Sequence, residues 1–179
     1  MDIEIRLPEG VHARAEKAYL EIKGVRGEVK KAFRHPKLTL TVKDSLVVIG
    51  AREEEAERKK VKALVGTWQA HIGNMIKGAQ EGWEAKLKIV YSHFPVRFSV
   101  EGNEVLIQNF LGEKKPRKAK IYGNTKVSVG KDEVTVTGTS KEEVGQTAAN
   151  IELATRVTGR DRRVFQDGCY IVGKVGQPS

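Results

Sequence analysis

Leu38-Thr-Leu-Thr-Val42, a turn at Lys43-Asp44-Ser45, and Leu46-Val-Val-Ile49 closing at Gly50 form the stretch that decides the fold, because the chain contains it twice. The second version is Lys126-Val-Ser-Val129, a turn at Lys131-Asp132-Glu133, and Val134-Thr-Val-Thr137 closing at Gly138. Such short β-rich runs, split by turn residues, read as hairpins. A helix-patterned stretch follows each: Leu64-Val65-Gly66-Thr67-Trp68-Gln69-Ala70-His71-Ile72 is echoed by Glu143-Val144-Gly145-Gln146-Thr147-Ala148-Ala149-Asn150-Ile151. The strands recur at an offset of 88 and the helices at 79, so the first copy carries nine extra residues between turn and helix core. Two copies, each about the size of a small domain, predict two similar modules in tandem rather than a solenoid.

Outward from that repeat, residues Leu20 to Ile49 read as antiparallel strands, with turns at Gly24-Val-Arg-Gly27, His35-Pro36 and Lys43-Asp44. Glu53-Glu54-Glu55 opens the next segment, where acids suit the positive end of a helix dipole. Val61, Leu64, Val65, Trp68, Ile72, Met75 and Ile76 then form one stripe of an amphipathic helix. Gly78 is the expected stop, and residues 79–84, with Gly82 and Trp83, the expected boundary. In the second module, strand-like runs lie at Leu87–Tyr91, Val96–Val100, Val105–Ile107 and Ala119–Tyr122, before the repeat hairpin. Ser140-Lys-Glu-Glu143 has the spacing of a capping box, so a shorter helix is expected through Val144, Ala148, Ile151 and Thr155. Periodicity ends after Val157. The predicted architecture is α+β: domains over 1–81 and 82–157, each an antiparallel β-sheet with one packed helix, and an extended basic tail over 158–179.

The balance of 32 Lys+Arg against 23 Asp+Glu leaves a net charge of +9, which is informative about partners rather than fold. Nucleic acid is the commonest reason for such a surplus, with an anionic membrane surface as its main competitor. No run approaches the roughly 18 apolar residues that a membrane span requires, and the charged start Met1-Asp-Ile-Glu-Ile-Arg6 does not resemble a secretory signal. The one cysteine, Cys169, excludes an internal disulfide and reads as a small packed side chain. His12, His35, His71 and His93 are scattered without carboxylate or thiol at metal-ligand spacing. No phosphate-cradling, nucleophile-elbow or zinc-protease motif occurs. No enzyme, metal or cofactor is therefore expected. Gly24-Val-Arg-Gly27 has the form of a KH-type clamp but lies between strands, so it reads as a turn.

The cationic clusters are the stronger signal. Glu113-Lys-Lys-Pro-Arg-Lys-Ala-Lys120 sets five cations against one acid, after the turn signal Asn109-Phe-Leu-Gly112. Arg156, Arg160, Arg162 and Arg163 form a second cluster, interleaved with Phe165 and Tyr170. Guanidinium groups match phosphate bidentately and stack on bases. A looser third group is Arg26, Lys30, Lys31, Arg34 and Lys37. Duplex-DNA motifs are absent and no aromatic RNP1 strand occurs, so phosphate and shape recognition of folded RNA is the best match.

Three segments then carry a family resemblance. Ile72-Gly-Asn-Met-Ile-Lys-Gly78, followed by Gly82-Trp-Glu-Ala-Lys-Leu87, resembles the signature closing the first domain of the large-subunit ribosomal proteins called the L-six (uL-six) family. Val90-Tyr-Ser-His-Phe-Pro95, Gln108-Asn-Phe-Leu-Gly-Glu-Lys114 and Arg162-Arg-Val-Phe-Gln-Asp-Gly168 are similar to its archaeal and eukaryotic branch. The chain departs from the bacterial pattern, which has a proline, tyrosine and glycine-lysine tail after the last helix. The resemblance covers nearly the whole chain and implies two tandem α+β domains with a structural, non-catalytic role. It implies a cytoplasmic protein of the large ribosomal subunit, bound to 23S-type rRNA near the sarcin-ricin loop, among neighbouring ribosomal proteins and close to where translational GTPases dock. Carried onto this chain, the RNA contacts it implies are Lys114, Lys115, Arg117, Lys118, Arg156, Arg160, Arg162, Arg163 and Lys174. The rival expectations are an RNA-binding regulator or chaperone outside the ribosome, and a hydrolase or transferase with an unfamiliar site.

Overall fold

The computed structural model describes residues 2–16, 18–43, 45–51, 59–92, 94–173 and 175–178. The chain folds as two units, Met1–Gly82 and Trp83–Ser179. In the first, β1 (Asp2–Arg6), β2 (His12–Glu16), β3 (Tyr19–Gly24), β4 (Gly27–Ala32), β5 (Leu38–Lys43) and β6 (Leu46–Ala51) precede α1 (Lys59–Gln80). In the second, β7 (Trp83–Val90), β8 (Arg97–Glu101), β9 (Glu104–Gln108), β10 (Arg117–Lys120), β11 (Lys126–Val129) and β12 (Glu133–Gly138) precede α2 (Lys141–Ala154), and β13 (Gly168–Ile171) follows it.

The pairing repeats along with the sequence. Sheet β1-β6-β5 has its counterpart in β7-β12-β11, and the meander β2-β3-β4 in β8-β9-β10. All pairs are antiparallel, as expected, and each unit divides its strands between two sheets. The duplicated hairpins are β5–β6 and β11–β12. Their innermost pairs are Lys43↔Leu46 and Val129↔Val134. The equivalent pairs are Val42↔Val47 and Val129↔Val134, an offset of 87 rather than the 88 read from the sequence. At 87 the buried Val47 and Ile49 answer to the buried Val134 and Val136, whereas a one-residue slip would exchange the faces.

The helical stripe read from the sequence is the one the first unit buries. Val61, Val65, Trp68, Ile72, Met75 and Ile76 pack on Leu20, Ile22, Val47 and Ile49 from strands of both sheets. Trp68 meets Phe33 edge-on, with ring centroids 5.2 Å apart. In the second unit Val144, Ala148 and Ile151 of α2 pack with Leu87, Val105, Ile107, Val134 and Val136. Ser140 caps α2, its Oγ accepting from the Glu143 backbone N–H at 3.4 Å.

Several expectations change. The acids Glu53–Glu55 lie outside the described residues. Helix α1 passes through Gly78 and ends at Gln80, because its end is fixed by tertiary contact. The Gly24–Gly27 turn docks there, and the Arg26 N–H donates to the Ala79 carbonyl at 2.9 Å. A Cβ on Gly24 would lie 2.5 Å from that carbonyl oxygen, so glycine is required for the close approach. The charged start, which gave no strand signal, forms β1, with Ile3 and Ile5 half-buried between exposed neighbours.

The largest correction concerns 158–179, expected as an extended tail. Gly168–Ile171 are β13, paired with β7 in the register Cys169↔Ile89. Beyond it, Gly176 and Glu84 exchange backbone hydrogen bonds of 2.8 and 3.0 Å. Burial of Cys169 and of Asp167, and packing of Phe165, Ile171 and Val175 against the core, supply the anchoring. The second unit therefore includes this segment.

Candidate nucleic-acid interface

Two cationic segments far apart in sequence meet at the C-terminal end of α2. One is the turn entering β10, with Lys114, Lys115, Arg117 and Lys118. The other leaves the helix, with Arg156, Arg160, Arg162 and Arg163. Arg117 joins them. Its Nη1 donates to the carbonyls of Ala154 and Arg156, each at 3.0 Å. Arg160 is close enough to act electrostatically on Glu113.

The local path of the first segment is set by an unusual backbone. Asn109 and Leu111 hold φ of 58° and 52°, and Gly112 follows at 78°. Left-handed non-glycine residues are uncommon and need their surroundings to hold them. Burial of Phe110 and Leu111 holds these, together with the Asn109 side-chain amide donating to the Pro95 carbonyl at 3.1 Å. The tight 3-10 turn Phe110–Gly112 thereby aims residues 113–116 outward, and Lys114 and Lys115 are exposed.

The named cations differ in how the protein uses them. Lys114, Lys115, Arg156, Arg160 and Arg162 are exposed. The Arg160 guanidinium lies over the Phe165 ring, 4.8 Å from its centroid. That stacking orders the side chain and leaves its edge for an anion. Lys118 pairs with Glu104 at 2.9 Å while 61% exposed. The hydrogen bond to Glu104 raises its ammonium pKa, as do the charges of Glu104 and Glu101. Arg163 is 90% exposed and grips Asp161 through Nη2 at 2.9 Å and Nε at 3.2 Å. That grip holds the Asp161 carboxyl below the usual carboxylate range. Exposed pairs of this kind contribute little stability, so a phosphate can replace the carboxylate at small cost.

Arg117 is the exception among these cations, because its guanidinium is engaged within the protein. It is half-buried, its guanidinium is 4.4 Å from the Phe110 ring centroid, and both its Nε and Nη2 bond Glu113. With Nη1 on two carbonyls, all three nitrogens are engaged within the protein. Lys174 lies outside the described residues. The third cationic group does not form one patch: Lys30 and Lys31 are adjacent on β4 and so face opposite ways. Lys31 meets His71 Nδ1 at 3.0 Å, and Lys30 sits over the Tyr19 ring. Sequence reasoning missed the internal role of Arg117; the four-residue spacing from Glu113 was its only sequence signal.

Fold and face together define the class: a duplicated α+β protein whose second unit presents a two-segment basic surface. The chain belongs to the ribosomal protein L6 family, whose model matches residues 7–82 and 94–168, one match per unit. It is 49% identical to the large ribosomal subunit protein uL6 of Methanosarcina mazei, over 95% of both chains. It is 48% identical to the protein of the same name from Halobacterium salinarum, over 96% of this chain and 95% of that one. The same identity holds for that of Methanobrevibacter smithii, over 96% and 94%. The archaeal type expected from the sequence is the type found.

Proposed function

We propose that this protein is a structural, non-catalytic constituent of the large ribosomal subunit that holds 23S-type rRNA near the sarcin-ricin loop. Its neighbours there are other large-subunit proteins, and translational GTPases dock nearby; neither DNA nor membrane is a partner, and the site of action is the cytoplasm. Family membership supports the ribosomal role. The observation that supports the RNA-binding site is that Arg117 ties the turn carrying Lys114 and Lys115 to the end of α2, where the segment with Arg156, Arg160, Arg162 and Arg163 begins. Lys118, next to Arg117 on β10, faces the other way, toward Glu104. Six cations from two chain segments suit a polyphosphate surface, because charges carried on braced segments release counterions at a smaller ordering cost. Arg117 is a brace within the site rather than a ligand.

If about six phosphates are neutralised, log affinity against log salt has a slope near −4 to −5. Filter binding of the full chain to an archaeal 23S rRNA transcript, from 50 to 200 mM potassium, measures it. Sucrose-gradient sedimentation of a native lysate separates this role from a regulator outside the ribosome. Comigration with large subunits supports the proposal, and a signal confined to light fractions refutes it.

A further inference from the structure

Glu113 is an acid in the middle of a cationic face, next to the residues proposed to bind phosphate. Simple electrostatics makes it a defect. The geometry points to the opposite: we propose that Glu113 and Arg117 form a positioning pair that assembles the two halves of the face, so that removing this negative charge weakens binding to an anion. The inference rests on the RNA-binding role proposed above.

Four acceptors converge on one guanidinium. Glu113 supplies two carboxylate oxygens, Nε–Oε2 being 2.8 Å, and belongs to the turn that carries Lys114 and Lys115. The carbonyl of Ala154 ends α2, and that of Arg156 begins the segment that carries Arg160 to Arg163. Helix α2 has no basic residue in its own last turn. Arg117 supplies, from β10, the positive charge that the negative end of the helix dipole and its orphan carbonyl require. The Phe110 ring, 1% exposed, fixes the plane of the guanidinium from below. Without Glu113, Arg117 keeps its charge but loses the contact that ties it to the lysine turn. Without the guanidinium, turn and helix end are two separate mobile cation clusters, each of which must be ordered when RNA binds.

Lysine at position 117 preserves charge but cannot present a planar fork to four acceptors. Arg117→Lys is therefore expected to bind the 23S transcript about tenfold more weakly, with an unchanged salt slope, since no phosphate contact is lost. Glu113→Ala makes the face more positive, yet is expected to bind several-fold more weakly. Tighter binding by Glu113→Ala, with a slope steeper by about 0.7–0.9, overturns the proposal, because it marks Arg117 as a phosphate ligand that the acid restrains. Amide hydrogen exchange of the free protein tests the brace apart from RNA. Arg117→Lys should accelerate exchange in 112–116 and in 155–164 together. Acceleration on one side only, or on neither, overturns the brace even if RNA binding is intact. A wild-type chain that fails to bind the transcript, with the paired acceleration present, refutes the functional reading and leaves the brace standing.

Discussion

Alanine at Arg160, Arg162 and Arg163 together tests the proposed interface most directly. All three side chains are exposed, and none belongs to the hydrophobic core, although Arg160 covers the Phe165 ring. Folding should survive, with a thermal midpoint near that of the wild type. Arg163 must first exchange Asp161 for phosphate, but both partners are exposed, so the pair costs little to open. Each lost phosphate contact flattens the salt slope by about 0.7–0.9, so the slope should fall from about −4 to −5 to about −2. Between 50 and 200 mM potassium the wild type then loses about 250- to 1,000-fold in affinity, and the variant only about 16-fold. Filter binding at four salt concentrations resolves such a difference, and gradient sedimentation shows whether the variant still enters large subunits. An unchanged slope in a folded variant would remove 160–163 from the binding surface and refute the reasoning.

Three further outcomes follow from the packing. Trp68→Ala should leave a void under Phe33 costing about 3–5 kcal/mol. Trp83, the other of the two tryptophans, then reports the second unit alone, and fluorescence should show that unit still folded while far-ultraviolet dichroism falls. Gly24→Ala drives a methyl into the Ala79 carbonyl and should cost about 1–3 kcal/mol in urea unfolding; no change in midpoint contradicts the close approach. Burial pushes the Cys169 thiol up to about 12, with the Glu152 charge adding, so a thiol reagent at pH 8 should label only unfolded protein. Because the folded thiol keeps a proton that the unfolded one loses, its contribution to stability is intact below pH 9 and declines toward about 12. Rapid labelling in native buffer counts against that burial.

What could be read from the sequence follows from the range of the interactions that fix each element. The α1 stripe obeys a strict local period, so Val61, Val65, Trp68 and Ile72 were legible as its buried face. Leu46-Val-Val-Ile49 is apolar throughout, and which of its residues turn inward, Val47 and Ile49, is decided by the sheet. Strand β13 was not legible, because it has four residues amid polar ones and its partner β7 lies far upstream. Gly78 misled for a related reason: the helix end is set by Arg26 and Gly24 docking on Ala79, a contact that no local signal announces. The two cation clusters were visible as charge, but their meeting was not. It depends on Arg117 bonding backbone carbonyls 37 and 39 residues away, and a carbonyl looks the same in every residue.

Strand β13 also sets a timetable for synthesis. Every strand and the helix of the first unit have been made by Gly82, so that unit can fold while the rest is still being translated. The second unit opens with Trp83–Val90, whose outer neighbour β13 is made only after α2. Residues 156–163, strung between α2 and that late strand, gain fixed ends only when it docks. A nascent chain thus carries its positive charge well before it acquires the shape that directs that charge.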